Sequence, residues 1–390
     1  MIDQILWILA VAAVACWLYL IFRRGGFWRA DQRLPKVLPQ AGPDIVAVIP
    51  ARNEVETIAN AVRSLLNQEY QGALSVIVVD DNSTDGTAAA LSGLDSEGRL
   101  TVVSGAALLP GWTGKMWAIS QGLSVADKWA PEAEFVLLTD ADIAHGAGVV
   151  EQLVAKAQAD KLDLVSLMVL LRTDNFWEKF LCPAFVFFFQ KLYPFPWVND
   201  PGRKMAGAAG GCMLMRRDAL DRVSGVARIK DKVIDDCALA REIKRDGSIW
   251  LGLAETSRSL RGYDGLSGLW DMVARTAFVQ LNQSWWMLAG TVGGMAVIYL
   301  APPLTLGAGI LLGEALSAFL GGVAWGLMAF AYLPTLRLYR RPVIEAFSLP
   351  VAGVIYTAMT VDSAFRTVRG AGASWKGRSY GDIGRSGHDA

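Results

Sequence analysis

Two aspartates one residue apart, Asp140 and Asp142, close an apolar run in "EFVLLTDADIAHG" (Glu134–Gly146). Phe135–Thr139 lacks a helical period and reads as a buried strand, so side chains two apart leave its end on the same face. Carboxylates placed that close repel one another unless a positive charge sits between them. A hard divalent cation that also takes phosphate oxygens is the chemistry such a pair fits. A helix beginning directly after the strand, capped by aspartate, is the competing structural explanation.

Other acidic residues fall at equivalent places. "DIVAVIP" reads as a buried strand ending at Pro50, with Ala51, Arg52 and Glu54 after it. "LSVIVVDDNSTDGT" runs a strand Leu74–Val79 into Asp80 and Asp81, and Ser83, Thr84 and Asp85 then read as the cap of another helix. Between the first two strands Ile58, Val62, Leu65 and Leu66 share one helical stripe. Strands and helices alternating in this way predict an α/β domain with a mostly parallel sheet, whose ligands bind beyond the carboxyl ends of the strands. Capping explains any single acidic strand end. Three at one sheet edge make an anionic mouth with no structural use, whereas a nucleotide, contacted by Glu54, Asp80 and Asp81, and a metal at Asp140 and Asp142 would account for it.

Further segments offer partial support. "GWTGK" (Gly111–Lys115) supplies a glycine loop with one ammonium, without the spacing of a P-loop; Lys115 fits a phosphate contact or an ordinary surface lysine. "AGAAGGCMLMRR", with Gly210 and Gly211, allows either close approach of backbone to a ligand or tight packing. Asp235 and Asp236 open an amphipathic helix, where they suit a helix dipole as well as a reaction site. Arg275, in an amphipathic helix over Trp270–Leu281, is a candidate diphosphate partner or an interfacial arginine. His145 has no evident role.

The rest of the chain is of another kind. Of 390 residues 53% are hydrophobic and 19% charged, and mean hydropathy is +0.32, which indicates membrane segments beside a water-facing domain. Ile5–Phe22 carries no charge and approaches the ~20 residues of a bilayer span. Arg23, Arg24, Arg29, Arg33 and Lys36 follow it, which puts that side in the cytoplasm and argues against a cleaved signal peptide. Trp285–Leu336 has room for two more spans. The block Pro342–Val361, with Glu345, Pro350 and the basic residues Arg366, Arg369, Lys376, Arg378 and Arg385 after it, fits a re-entrant or interfacial segment. Phe180–Trp197, aromatic but broken by Pro183, Pro194 and Pro196, reads as an interfacial segment or a buried helix of the water-facing domain. Lys plus Arg and Asp plus Glu each number 37, so nothing suggests nucleic acid, and the four scattered cysteines suggest neither zinc nor disulfides.

Taken in order, "PARNE", "VVDDNSTDGT", "TDAD", "AGGCMLMRR", "IDDCAL" and "VARTAF" resemble the motifs of family 2 glycosyltransferases over Asp44–Leu281. "GWTGKMWA", "AFVFFFQKLYPF", "LRGYDGLSG" and "YLAPPL" resemble the hopanoid-associated, membrane-bound branch. The resemblance implies a GT-A fold, a Rossmann-like nucleotide-binding sandwich with transmembrane helices at both ends. It implies an NDP-sugar, most simply a UDP-sugar, at Pro50, Ala51, Arg52, Glu54, Asp80, Asp81, Lys115, Asp140, Gly210, Gly211 and Arg275, with Mg or Mn at Asp140 and Asp142. Asp236, or Asp235 beside it, would be the base, and transfer of one sugar to a lipid would invert the anomeric centre. Met272 and Thr276 replace the glutamine and tryptophan of the family's Q-x-x-R-W motif, which disfavours a processive synthase; Asp235 stands for its usual glutamate. The expected organisation is a span at 1–23, a basic linker at 24–43, the catalytic domain at 44–265, an interfacial helix at 266–286, a membrane region at 287–361 and a basic tail at 362–390, in a bacterial inner membrane. Alternatives are transfer to a polyprenyl phosphate, with Arg203, Lys204, Arg216 and Arg217 as its basic pocket, and a non-catalytic scaffold or transporter.

Overall fold

A computed structural model describes residues 2–36, 42–94, 97–370, 374–375 and 378–379. Lys376 and Arg385 of the basic tail lie outside the described residues, as does 37–41 of the linker. The chain forms two compact units, one of Met1–Asp31, Thr173–Pro196 and Tyr263–Gly372, the other of Gln32–Arg172, Trp197–Gly262 and Ala373–Ala390. Segment 173–196, inside the catalytic domain by sequence, therefore groups with the apolar helices.

In chain order the elements are α1 (Ile2–Arg23), β1 (Ile45–Ala51), α2 (Ile58–Leu66), β2 (Leu74–Asp80), β3 (Leu100–Ser104), α3 (Gly114–Trp129), β4 (Phe135–Leu138), β5 (Ile143–Ala144), α4 (Val149–Ala159) and β6 (Leu164–Leu170). Next come α5 (Phe176–Leu192), α6 (Phe195–Val198), β7 (Met213–Arg216), α7 (Arg217–Arg222), α8 (Asp235–Ile243), β8 (Ile249–Ser259), α9 (Gly265–Ala274) and α10 (Ala277–Gln280). The last are α11 (Trp285–Met295), α12 (Ala301–Leu312), α13 (Ala315–Leu338) and α14 (Leu349–Val368).

Among the described residues eight of the ten strands form one sheet, ordered β3-β2-β1-β4-β7-β6-β8-β5, and the short strands Ser374–Trp375 and Arg378–Ser379 pair antiparallel with each other. Four of the seven pairings are parallel, and β7 runs antiparallel between β4 and β6. "AGGCMLMRR" thus supplies a central strand after its small residues. β1 and β4 are fully buried, the composition of strands covered on both faces. α2 buries Ile58, Ala61, Val62, Leu65 and Leu66, the predicted stripe and one alanine. The expected helix after Ser83–Asp85 does not form; only a 3-10 turn, Ala89–Leu91, follows. Its polar residues turn sideways instead. Ser83 Oγ accepts from Asn53 N (3.0 Å), Asp85 Oδ2 from Val55 N (3.0 Å) and Thr87 Oγ1 from Glu54 N (2.8 Å), stitching the loop after β2 to the loop after β1. Side chains that bond distant backbone cannot also cap a helix.

Among the described residues of the other unit four helical stretches are long and apolar enough to cross a membrane: Asp3–Arg23, Trp285–Leu312, Ala315–Leu338 and Val343–Val368. α12 and α13 turn at Gly313 (φ +74°) and pack so closely that a Cβ on Gly321 would lie 2.5 Å from Leu306 N. The Phe347 carbonyl accepts from Trp325 Nε1 (3.2 Å), so α14 begins beside the middle of α13 and not at its basic end. Phe180–Trp197 is helical through Pro183, with Leu181, Cys182, Ala184, Val186 and Phe187 buried among the apolar helices. It is a buried helix, but of the apolar unit. The sequence's single Trp270–Leu281 helix is broken at Arg275–Thr276 into α9 and α10.

Glu178 anchors this unit. It is 1% exposed; its Oε2 accepts from Asp174 N (2.8 Å) and Asn175 N (3.2 Å), and its Oε1 from Tyr263 N (2.8 Å). Glu178→Ala leaves three part-buried backbone donors without their carboxylate and is expected to cost about 1.5–3 kcal/mol. The check is a lowered melting temperature in detergent that Glu178→Gln partly restores.

Candidate active site

β2, β1 and β4 are parallel neighbours, with Ala51 level with Asp80, so their carboxyl ends open side by side. Their ends and the loops beyond them carry Arg52 and Glu54, Asp80 and Asp81, and Asp140 and Asp142. Asn53 (φ +51°) and Asn82 (φ +54°) give the first two loops left-handed turns, a conformation asparagine tolerates. Asp81 is fully buried, its backbone N–H donates to Ala51 O (2.8 Å), and Arg52 Nη1 lies 3.8 Å from its Oδ2. Asp80 Oδ1 accepts from Ser83 N (3.2 Å).

The D-x-D aspartates differ from the expected shared cation. Each meets its own protein cation. Lys115 Nζ sits 2.9 Å from Asp140 Oδ1 and 3.2 Å from Asp235 Oδ2. Burial works to lower the Lys115 pKa, but Asp140 first and Asp235 next raise it above the usual lysine range, so it stays protonated. Lys115 is placed by the first turn of α3, where Thr113 caps by accepting from Met116 N (3.3 Å). "GWTGK" is therefore half turn, with Gly111 at φ +78°, and half helix. Asp142, 9% exposed, takes Arg261 Nε at 2.6 Å on Oδ2, and Arg261 Nη2 reaches Glu54 Oε1 at 2.6 Å. The eleven-residue β8 pairs with β6 and then β5, and Leu260 N donates to Asp142 O (2.7 Å), which fixes where Arg261 emerges.

Asp235 and Asp236 open α8 as expected. Asp236 is held by backbone: Oδ2 accepts from Gly210 N (2.9 Å) and Oδ1 from Cys237 N (2.6 Å). Burial, and then the charge of Asp235, push its pKa up to about 6. Gly210 is tied to this geometry, since a Cβ there would lie 3.2 Å from Lys115 Nζ and 3.6 Å from Asp236 Oδ2. Gly211 instead packs against Val169 and Ile143, and its carbonyl accepts from Thr139 Oγ1 (2.8 Å). Pro50, Lys115, Asp140, Gly210, Asp235 and Asp236 line one cleft that encloses about 10 Å³, room for about one water. The ion pairs fill it, so a ligand must rearrange them. Arg275 belongs to the other unit, at the end of α9.

Two sets of residues escaped the sequence reading. Arg261 lies in "LRGYDGLSG", a segment noted only for its resemblance. His145 is buried, bonded to Thr139 Oγ1 (2.9 Å) and Ser257 Oγ (3.1 Å), and burial holds its pKa near about 4. Neutral and doubly bonded, it braces the loop after β4. Among the described residues no three or more His, Cys, Asp or Glu side chains converge on a metal position.

Residues 46–224 match the model described as glycosyl transferase family 2. Along 97% of its length the chain is 26% identical to the 4,4'-diaponeurosporenoate glycosyltransferase of Staphylococcus aureus (strain bovine RF122 / ET3-1), of which 98% is covered. It is 30% identical over 141 residues, 35% of this chain and 29% of the relative, to the beta-monoglucosyldiacylglycerol synthase of Nostoc sp.. Among solved structures it resembles the mannosyltransferase PcManGT from Pyrobaculum calidifontis in complex with GDP-Man and Mn2+, with a TM-score of 0.53, 17% identity, and 93% of this chain and 99% of that one covered. That likeness concerns the fold. The strand-end carboxylates thus sit in a family 2 glycosyltransferase domain of GT-A fold, and the protein is a glycosyltransferase.

Proposed function

We propose that the protein moves one sugar from a nucleoside-diphosphate sugar, a UDP-sugar on the reading of Asp81 as base-binding, to a lipid acceptor of the hopanoid kind, with inversion. The observation that carries this is one cleft holding a raised-pKa carboxylate, Asp236, and a protonated lysine, Lys115, against Asp140. Asp236 is the base. It takes the proton of the acceptor hydroxyl as that oxygen bonds the anomeric carbon and the bond to the diphosphate breaks. Asp235, tied to Lys115, holds the lysine for the leaving group. Arg52, Glu54, Asp80 and Asp81 take the nucleoside.

A divalent cation, Mg or Mn, fits the hard oxygens of Asp142 and Asp140, because a guanidinium already occupies Asp142 and Glu54 as a cation would. When bound it would neutralise charge on the departing diphosphate.

The acceptor class rests on the apolar unit and the relatives. Both the Staphylococcus and Nostoc enzymes are named for lipid-related substrates. The helical unit carries a groove of about 440 Å³ lined by Met295, Leu300, Gly353, Val354, Ala358 and Phe365, within the ~300–1,000 Å³ range of small-molecule sites. The basic residues after α1 support a cytoplasmic orientation in a bacterial inner membrane. Of the four basic residues of the polyprenyl-phosphate alternative, three are engaged within the protein: Arg216 pairs with Glu134 (2.6 Å), Arg217 bonds the carbonyls of Ala130, Pro131 and Ala133, and Arg203 pairs with Asp200 (3.3 Å), which favours the hopanoid reading over it. Lipid profiles of a deletion strain test the reading. Loss of one glycosylated hopanoid, restored by the wild-type chain, is expected; unchanged hopanoids with a shifted polyprenyl or other glycolipid species would move the acceptor to that class.

A further inference from the structure

Arg261 is the basic side chain joining the loops after β1 and β4, and it does so with two nitrogens of one guanidinium, each 2.6 Å from a carboxylate. The two carboxylates are the more covered partners, with side chains 11% and 12% exposed against 37% for Arg261. The guanidinium therefore lies over them from the open side, where a ligand must arrive. A carboxylate oxygen this close to a guanidinium nitrogen cannot also ligate a metal at ~2.0–2.6 Å without the two cations crowding together. A fork of N–H donors that leaves a carboxylate has an equally good partner in a phosphate.

We infer that Arg261 holds the cation position of the donor-free protein and leaves Asp142 for the diphosphate when nucleotide and divalent cation arrive together. This rests on the nucleotide-sugar reading of the same site. Arg261 thereby opposes the metal alone and favours the metal–nucleotide pair, which makes the two ligands bind cooperatively. A donor-free protein would not fill its site with metal and bind unproductively.

The test uses the full chain in lipid nanodiscs, with Mn2+ binding followed by electron paramagnetic resonance and UDP binding by calorimetry. For Arg261→Ala, Mn2+ without nucleotide is expected to bind about tenfold tighter, and UDP in the presence of Mn2+ about tenfold weaker. Arg261→Gln keeps donors for the two carboxylates without the charge. It guards against a folding defect and should shift both affinities in the same opposed directions. A merely structural tie would weaken both ligands or neither, and either result in both variants overturns the inference. If the wild-type chain binds neither UDP nor GDP with or without Mn2+, the nucleotide-sugar reading itself fails.

Discussion

Asp236→Asn is expected to lower turnover by about 10²–10⁴-fold, the usual worth of a positioned general base, while UDP-sugar affinity changes little. The amide is nearly isosteric with the carboxylate, but its NH2 side cannot accept the N–H bond now made by Gly210 or Cys237, so a small local shift accompanies the loss of the base. The same residue sets the pH dependence. Its pKa is raised to about 6, so the basic, deprotonated form is lost as pH falls through that value. Wild-type transfer should rise with pH through about 6 and level off above it, and the residual activity of Asp236→Asn should lack that acid limb. Asp235→Asn is expected to act differently, because Asp235 meets Lys115 at 3.2 Å and serves the leaving group. A steady-state comparison at pH 5 to 8 separates the two. Loss of the acid limb in Asp235→Asn instead would exchange their roles.

Asp142→Ala is expected to cost about 10²–10³-fold in transfer, corresponding to the several kcal/mol of charge stabilisation that a bound cation provides. The variant should fold. Removing the carboxylate leaves Arg261 bonded to Glu54 and 37% exposed, so water can satisfy the freed nitrogen. The readout is the response to Mn2+. Wild-type rate should climb with added Mn2+ and fall with a chelator, whereas Asp142→Ala should respond to neither. A variant as active and as metal-responsive as wild type would remove Asp142 from the metal site.

The strand ends were legible because a buried strand leaves a simple trace, an apolar run stopping at a proline or an acid. Pro50, Asp80 and Asp140 each mark one, and the pairing of β1 with β2 and β4 brings those ends together. Asp235 and Asp236 were legible as the start of a helix for the same local reason. What the sequence hid is non-local. Arg261 finds Asp142 and Glu54 across 119 and 207 residues, and no spacing rule reaches that far. Ser83 and Asp85, two of the expected cap residues, instead accept with Thr87 from backbone donors at 53–55 that only the paired strands bring near. β7 was hidden behind its preceding glycines, and as an antiparallel strand in the middle of the sheet it breaks the β-α-β alternation that the reading relied on. α5 carries Pro183 inside the helix, and aromatic periodicity alone does not say which unit buries it.

The most direct measurement is transfer of radiolabel from nucleotide sugars to the organic-soluble fraction by the purified chain in nanodiscs, supplied with bacterial lipid extract and Mn2+. Wild type should place label in one lipid species, with Asp236→Asn and Asp142→Ala each at least about 10²-fold slower. Equal labelling by the wild-type chain and both variants would contradict the assignment of the strand-end carboxylates and Asp236 to sugar transfer.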